Sequence, residues 1–180
     1  THNDPASISS CIWFVRMLWD LLPMKESPDP EWWLDRYVST VEDLETGATY
    51  KPRGGSFIDY EGPMWRYVKE RVSEAHAQGL SVREACDSWY SGAFLMETVP
   101  AVLYILMRHG GDPEEAIVRA VNDTKDNDTI GAIVGAAVGA LHGIGGLPKR
   151  WVENHTGRTS ADDDDRISDI INKAISEFSK

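Results

Sequence analysis

The 180-residue sequence has few cysteines, and its basic residues are outnumbered by its acids. Cys11 and Cys86 lie far apart, with no CxxC motif or Cys/His cluster around them. A disulfide scaffold or structural zinc site is therefore not expected, and a reducing, cytoplasmic location is. With 18 Lys and Arg against 29 Asp and Glu, the net charge is −11. That balance argues against a nucleic-acid partner, which needs a basic face. The acidic run Asp162–Asp165 predicts a solvated loop.

Strand patterns and a secretory leader are also missing. No segment alternates apolar and polar residues beside hairpin-forming residues, as a half-buried strand would. The apolar stretch 8–22 is interrupted by Arg16 and Asp20 and follows no basic leader, so no signal peptide is expected. An all-α fold is therefore predicted, with residues 1–180 belonging to a single domain.

Helix boundaries are marked by Asp-Pro pairs, a capping box and glycines. An Asp-Pro pair predicts a helix start, because Asp accepts hydrogen bonds from free N–H groups and Pro fits the first turn. Ser81 and Glu84 have the spacing of a capping box. Helix starts are predicted at Asp4, Asp29, Gly62, Ser81, Gly92 and Asp112, ends at Pro23, Gly79 and Gly110, and a long loop over 46–63.

Glycines recur with a strict four-residue period at 131, 135, 139 and 143. Each glycine inside a helix costs roughly 1 kcal/mol relative to Ala, so the pattern predicts close packing against that face. A membrane-spanning GxxxG helix is the alternative. His142 and the pair Gly145-Gly146 interrupt the run, which favours a helix tightly packed in a soluble bundle and no membrane partner.

Asp126, Asp128 and Thr129 precede this glycine-rich helix. Helix capping is one interpretation, because a helix N-terminus favours acidic side chains. Metal binding is the other, because two carboxylates and a hydroxyl are hard oxygen ligands suited to Mg²⁺, Mn²⁺ or Ca²⁺. An EF-hand does not fit, since Ile130 and Ala137 occupy positions that need ligands. Local chemistry leaves capping and metal binding equally open.

Three segments, in order, resemble the ADP-ribosylglycohydrolase family. Residues 126–143, followed by Pro148 and Trp151, resemble its C-terminal signature of an Asp-x-Asp-Thr metal motif and a small-residue helix. Residues 92–100 resemble the family segment that borders the ADP-ribose pocket, and residues 1–5 resemble its Thr-His motif. The resemblance covers nearly the whole chain.

The resemblance implies an all-α, orthogonally packed fold with two divalent cations, usually Mg²⁺, in the cleft. It implies hydrolysis of the glycosidic bond that joins ADP-ribose to a modified protein residue or to a small molecule. Asp126 and Asp128 would be catalytic and, with Thr129, would bind metal. His2 and Phe94 would contact the substrate, and Gly92 would belong to the same binding segment.

The sequence departs from the family pattern in two places. Thr124 and Lys125 replace the usual Gly-Gly before the metal motif, which puts an ammonium beside it, able to weaken metal binding or to pair with a substrate phosphate. Neither a Gly-Asp-Ala-like segment nor a Thr-Asp-Asp triple is found, and the sequence starts at Thr1 without Met. A C-terminal piece is therefore expected, inactive without an N-terminal fragment of the same protein as its partner. The alternative is a catalytically inactive module that binds ADP-ribose or a nucleotide. The linkage that would be cleaved is not indicated.

Overall fold

The computed structural model describes residues 2–154 and 166–178, and these residues form helices and no strand. One isolated bridge joins Tyr50 to Gly62. The prediction of an all-α fold is confirmed. The helices are α1 (Pro5–Leu21), α2 (Pro30–Val41), α3 (Met64–Ala77), α4 (Val82–Trp89), α5 (Leu95–His109), α6 (Pro113–Asn122), α7 (Asn127–His142), α8 (Lys149–Asn154) and α9 (Arg166–Phe178), with a 3₁₀ turn at Ile144–Gly146.

The chain divides into two compact units, the first ending at Leu147 and the second starting at Pro148. The first contains α1 to α7 and every candidate site residue, while the second contains α8 and α9. The run Asp162–Asp165 lies outside the described residues, so its assignment as a solvated loop stays a prediction. The assignment of residues 1–180 to one domain also stays a prediction.

Helix α5 is the centre of the first unit. All twelve residues from Met96 to Met107 are buried, and α5 contacts α1, α2, α3, α4, α6 and α7. Burial of large apolar side chains is the main favourable term in folding, so a helix that is apolar on every face belongs in the interior. The start of α5, at Phe94 and Leu95, lies beside the candidate site.

Several helix starts form as the sequence predicts. The Asp4 carboxylate accepts a hydrogen bond from Ser7 N–H at 3.1 Å, and the Asp112 carboxylate accepts one from Glu115 N–H at 3.1 Å. At Ser81 both hydrogen bonds of the capping box with Glu84 are present. These side chains satisfy N–H groups that a helix leaves without internal partners.

The prediction that the glycine face of α7 is tightly packed is wrong for the described residues. A Cβ added at Gly135, Gly139 or Gly143 would meet no atom within 4 Å, and one at Gly131 would meet only Val121 Cγ2, at 3.2 Å. The helix instead buries its larger side chains, including Ile130, Val134, Ala137, Val138 and Leu141.

The alternative of a membrane-spanning helix finds no support in the described residues. None of their helices has the length and apolar character needed to cross a bilayer, and α7 has 16 residues, short of the roughly 20 that a spanning helix needs.

Candidate functional site

A pocket of about 660 Å³ opens on the first unit. Its wall combines the start of α1, the loop before α3, the start of α5 and Ile133 of α7. Much of the lining is apolar, with Trp13, Phe14, Met64 and Val99 among its residues. Small-molecule sites typically have volumes of about 300–1,000 Å³ and largely apolar walls, so this pocket has the size and character of a ligand site.

Two of the three predicted substrate-binding residues, His2 and Phe94, line this pocket. Gly92 does not line the pocket, but it packs against the first turn of α5. Its carbonyl oxygen accepts a hydrogen bond from Thr98 Oγ1 at 2.8 Å, and a Cβ at this position would lie 2.6 Å from Oε2 of Glu97. The structure thus brings His2 and Phe94 to the same pocket, and Gly92 lies where a side chain would clash with Glu97.

Asp4 and Tyr50 form a polar group within the pocket lining. The Asp4 carboxylate accepts hydrogen bonds from the backbone and hydroxyl of Ser7 and from the Tyr50 hydroxyl at 3.2 Å. The Ser7 hydroxyl is the largest cause that lowers the pKa of Asp4 below its usual value, because hydrogen bonds to a carboxylate favour its charged form. Asp4 is therefore an ionised group with its oxygens already engaged.

Backbone hydrogen bonds connect the turn at Ser91, just before the pocket residues Ala93 and Phe94, to the start of α7. The carbonyl oxygen of Ser91 accepts hydrogen bonds from the N–H groups of Lys125 at 3.2 Å and Asp126 at 3.1 Å. Tyr90 and Ser91 both have positive φ, 79° and 40°, a conformation that non-glycine residues adopt only where the surroundings hold it. The strained turn places this carbonyl against the Asp-x-Asp-Thr segment.

Asp126, Asp128 and Thr129 lie at the start of α7 with their side chains free. Asp126 is the N-cap residue but makes no side-chain capping hydrogen bond, and Asp128 and Thr129 are exposed. Within the described part of the chain, none of these three side chains has a hydrogen-bond or ion-pair partner. The capping bond expected under the alternative interpretation is therefore not made by Asp126.

These oxygens fit a hard divalent cation in kind, because carboxylates and hydroxyls are the ligands that Mg²⁺ accepts. The set is only a partial shell. Across residues 2–154 and 166–178 there is no cluster of three or more His, Cys, Asp or Glu side chains able to hold a metal. Asp126, Asp128 and Thr129 are not among the residues that line the pocket; the lining residue of α7 is Ile133, one helical turn after Thr129.

The charged residues next to the motif are engaged in ion pairs. Asp123 is buried, and its carboxylate oxygens form ion pairs with the guanidinium groups of Arg83 at 2.8 Å and Arg119 at 3.0 Å. The Lys125 ammonium lies 3.1 Å from Asp87 and 4.6 Å from the centre of the Tyr90 ring. Asp123 therefore has a structural role, and the positive charge of Lys125 is balanced by the carboxylate of Asp87.

Sequence reasoning missed Arg53, Asp4 and Tyr50 as pocket residues. Arg53 lies in the loop 46–63, which has no periodicity from which its direction could be inferred. The sequence identified Asp4 as a helix N-cap residue. That assignment indicates a structural role and does not predict contact with a ligand.

Comparison with known proteins identifies similar sequences. The sequence model of the ADP-ribosylglycohydrolase family matches residues 1–179. The ADP-ribosylhydrolase ARH3 of Danio rerio is 27% identical over 144 residues, which are 74% of this chain and 39% of that protein. The ADP-ribosylarginine hydrolase Tri1 of Pseudomonas putida strain GB-1 is 33% identical over 91 residues, which are 51% of this chain and 24% of that protein. The chain thus spans well under half of either relative. No solved structure matches significantly.

Proposed function

Because this chain belongs to the ADP-ribosylglycohydrolase family, we propose that it supplies the C-terminal half of an active site for ADP-ribose hydrolysis. The reaction is cleavage of the glycosidic bond between ADP-ribose and a protein residue or small molecule. The family match over residues 1–179 carries this proposal. The names of the two relatives, an ADP-ribosylhydrolase and an ADP-ribosylarginine hydrolase, agree with the substrate class.

The pocket is the binding site in this proposal. Its volume of about 660 Å³ suits a nucleotide-sized ligand. Phe94 offers an aromatic face, and His2 offers ring nitrogens that hydrogen-bond to hydroxyl or phosphoryl oxygens. The remaining apolar wall excludes water from the bound ligand.

Asp126, Asp128 and Thr129 would hold divalent metal, with two Mg²⁺ ions in the complete site. A bound divalent cation supplies Lewis-acid chemistry and orients ligand oxygens and a water molecule. The two carboxylates add negative charge, which stabilises the positive charge that develops on the sugar during glycosidic cleavage. The turn at Ser91 positions Asp126 by its backbone hydrogen bond.

An N-terminal fragment of the same protein would complete the site. Two carboxylates and a hydroxyl form a partial metal shell, and the relatives have much more chain than the matched region. A row of large apolar residues on α1 and its C-cap is exposed, with Trp19 76% exposed, and would receive that fragment. The row recurs with alternating spacings of four and three, which is the pattern of a helix-packing face, and it consists of Ile8, Ile12, Val15, Trp19 and Leu22.

The second candidate function is a catalytically inactive module that binds ADP-ribose or a nucleotide. One observation favours it: no cluster of three or more metal-binding side chains exists within the described residues. Such a module would use the same pocket and would bind ligand without releasing product.

The test is release of ADP-ribose by the complete protein, with the N-terminal part and this chain together. Replacing Asp126 and Asp128 by Ala should lower Mg²⁺-dependent release at least about 100-fold, because metal stabilisation of a transition state is worth several kcal/mol. Chelation of Mg²⁺ should have a similar effect on the unmodified protein. The measurement is product formation at saturating Mg²⁺.

The matched control is the double variant Asp35→Ala and Asp43→Ala, which removes two exposed acids outside the site and should leave the rate unchanged. Full activity in the Asp126/Asp128 variant would contradict the proposed metal site. Binding of ADP-ribose without any release by the complete unmodified protein would favour the inactive module.

A further inference from the structure

The guanidinium of Arg53 stands at the wall of the pocket. His2, Asp4 and Arg53 are among the residues that line it. Arg53 is the one with a fixed positive charge, since a guanidinium stays protonated in proteins. Its side chain is 61% exposed, so a ligand in the pocket can reach it.

Two neighbours hold this guanidinium in place. Its central carbon lies 4.4 Å from the centre of the Phe94 ring, a distance at which the cation is attracted to the aromatic face. Its Nε lies 3.8 Å from Oε1 of Glu97. Glu97 is 2% exposed, and Oε1 has no hydrogen-bond partner in the described residues. A buried carboxylate needs a neighbouring cation, so Glu97 anchors Arg53 from the protein side.

The outer edge of the guanidinium is left free. Within the described part of the chain, the two Nη groups of Arg53 make no hydrogen bond. These groups form a planar fork whose spacing matches two phosphoryl oxygens. The guanidinium lies against the Phe94 ring and near the Glu97 carboxylate, so its two Nη groups are able to donate hydrogen bonds to an oxyanion.

A second feature of the same wall favours negative charge. Ala93, Phe94 and Leu95, at the start of α5, line the pocket together with Arg53. Phe94 is the N-cap residue and makes no side-chain capping hydrogen bond. The start of a helix carries partial positive charge and unpaired N–H groups, which bind anions. Asp4, the acid in the lining, already accepts hydrogen bonds from Ser7 and Tyr50.

We propose that Arg53 binds the phosphoryl oxygens of a nucleoside diphosphate group in this pocket, with Glu97 and Phe94 as its positioning residues. The inference rests on the proposed function, because ADP-ribose is a ligand that carries two linked phosphoryl groups. It adds a charged contact from the loop 46–63 to that function.

Calorimetric binding to the complete protein, with the N-terminal part and this chain together, tests this contact with ADP-ribose, ADP and adenosine as probes. Replacing Arg53 by Gln should weaken binding of ADP-ribose and ADP by about 10- to 100-fold, since hydrogen bonds to charged groups contribute about 1.5–3 kcal/mol. Binding of adenosine, which has no phosphate, should not change. Lys51→Gln is the matched control, because Lys51 is in the same loop and pairs with Glu61 outside the pocket.

A second variant keeps the test valid if removal of the cation unfolds the chain. Arg53→Lys retains a positive charge for Glu97 but loses the fork, so it should weaken ADP binding less than Arg53→Gln and leave adenosine unaffected. Thermal melting of each variant verifies that it is folded. Equal weakening of ADP and adenosine would mean that Arg53 acts through stacking and would overturn the proposal.

The outcomes separate this inference from the proposed function. Unchanged binding of ADP-ribose by both Arg53 variants would overturn the phosphate contact while leaving the proposed function standing. Arg53-dependent binding of ADP, together with no release of ADP-ribose by the complete protein, would support the contact and overturn the enzymatic function. No binding of ADP-ribose, ADP or inorganic pyrophosphate by the complete unmodified protein would overturn the contact.

Discussion

Helices α5 and α7 are both composed largely of apolar residues, but they occupy different environments. From Met96 to Met107 every residue of α5 is buried. Helix α7 buries one side, while a Cβ at Gly135 or Gly139 would meet no described atom. One helix is the core of the first unit, and the other closes part of the pocket with one face open.

The difference shows that side-chain volume decides which apolar helix becomes central. Leu, Met, Ile and Tyr side chains gain much free energy from burial on all sides of α5. The Gly and Ala residues of α7 gain little, so nothing requires their face to be covered. Small residues permit close approach of another helix without enforcing it. Predictions about glycines in the two helices therefore have opposite signs.

The largest effect is expected at Gly110, the C-cap of α5. A Cβ there would lie 2.6 Å from the Leu106 carbonyl oxygen and 2.8 Å from the ring of Trp33, which is itself buried. Gly110→Ala should therefore destabilise the chain by about 1–3 kcal/mol through overpacking. Urea unfolding measures this change. An unaltered midpoint would show that the end of α5 is less tightly packed than the structure indicates.

The sequence predicted helix starts better than helix environments, for a physical reason. Caps are local: the Ser81 hydroxyl reaches the N–H of Glu84 whatever surrounds the helix, so the spacing alone was sufficient. The face that a helix buries depends on distant neighbours. The glycine period at 131–143 was compatible with a packed face or an open one, and only the positions of the other helices decide between them.

The intermediate effect, of opposite sign, is expected at Gly139 within α7. Its added Cβ meets nothing within 4 Å, and glycine in a helix loses more backbone entropy than Ala. Gly139→Ala should therefore stabilise the chain by about 0.5–1 kcal/mol. Gly131→Ala is the matched control, because its Cβ would lie 3.2 Å from Val121 Cγ2, and it should gain less. Loss of stability at Gly139 would mean that another part of the protein, or a second copy, covers this face.

The candidate site could be predicted from the sequence only where its residues lie close together in the chain. Asp126, Asp128 and Thr129 are adjacent, so their grouping could be inferred, whereas their role as metal ligands stays a prediction. The convergence of His2 with Phe94 was implied by family resemblance and could not be derived from spacing. Arg53 could not be predicted at all, because an irregular loop carries no pattern that reports where its side chains point.

The smallest effect is expected at His109, a partly buried titratable residue at the C-terminal end of α5. Burial is the largest cause that lowers the pKa of His109 below its usual value of 6.5, with Arg108 and Arg119 acting in the same direction and Glu115 and Asp112 opposing them. The folded chain therefore binds this proton less readily than the unfolded chain. Its contribution is fully present above about pH 6.5 and is lost as the pH falls through that value towards the folded pKa.

Replacing His109 by Gln should remove this part of the pH dependence. Unfolding free energies measured by urea between pH 7.5 and pH 5 should fall less for His109→Gln than for the unmodified chain. Other titrating groups are common to both proteins, so their contributions cancel in the difference. A steeper fall in the variant would mean that Glu115 and Asp112 outweigh burial at this position. The environment of His109 would then be closer to that of the exposed face of α7 than to that of the buried residues of α5.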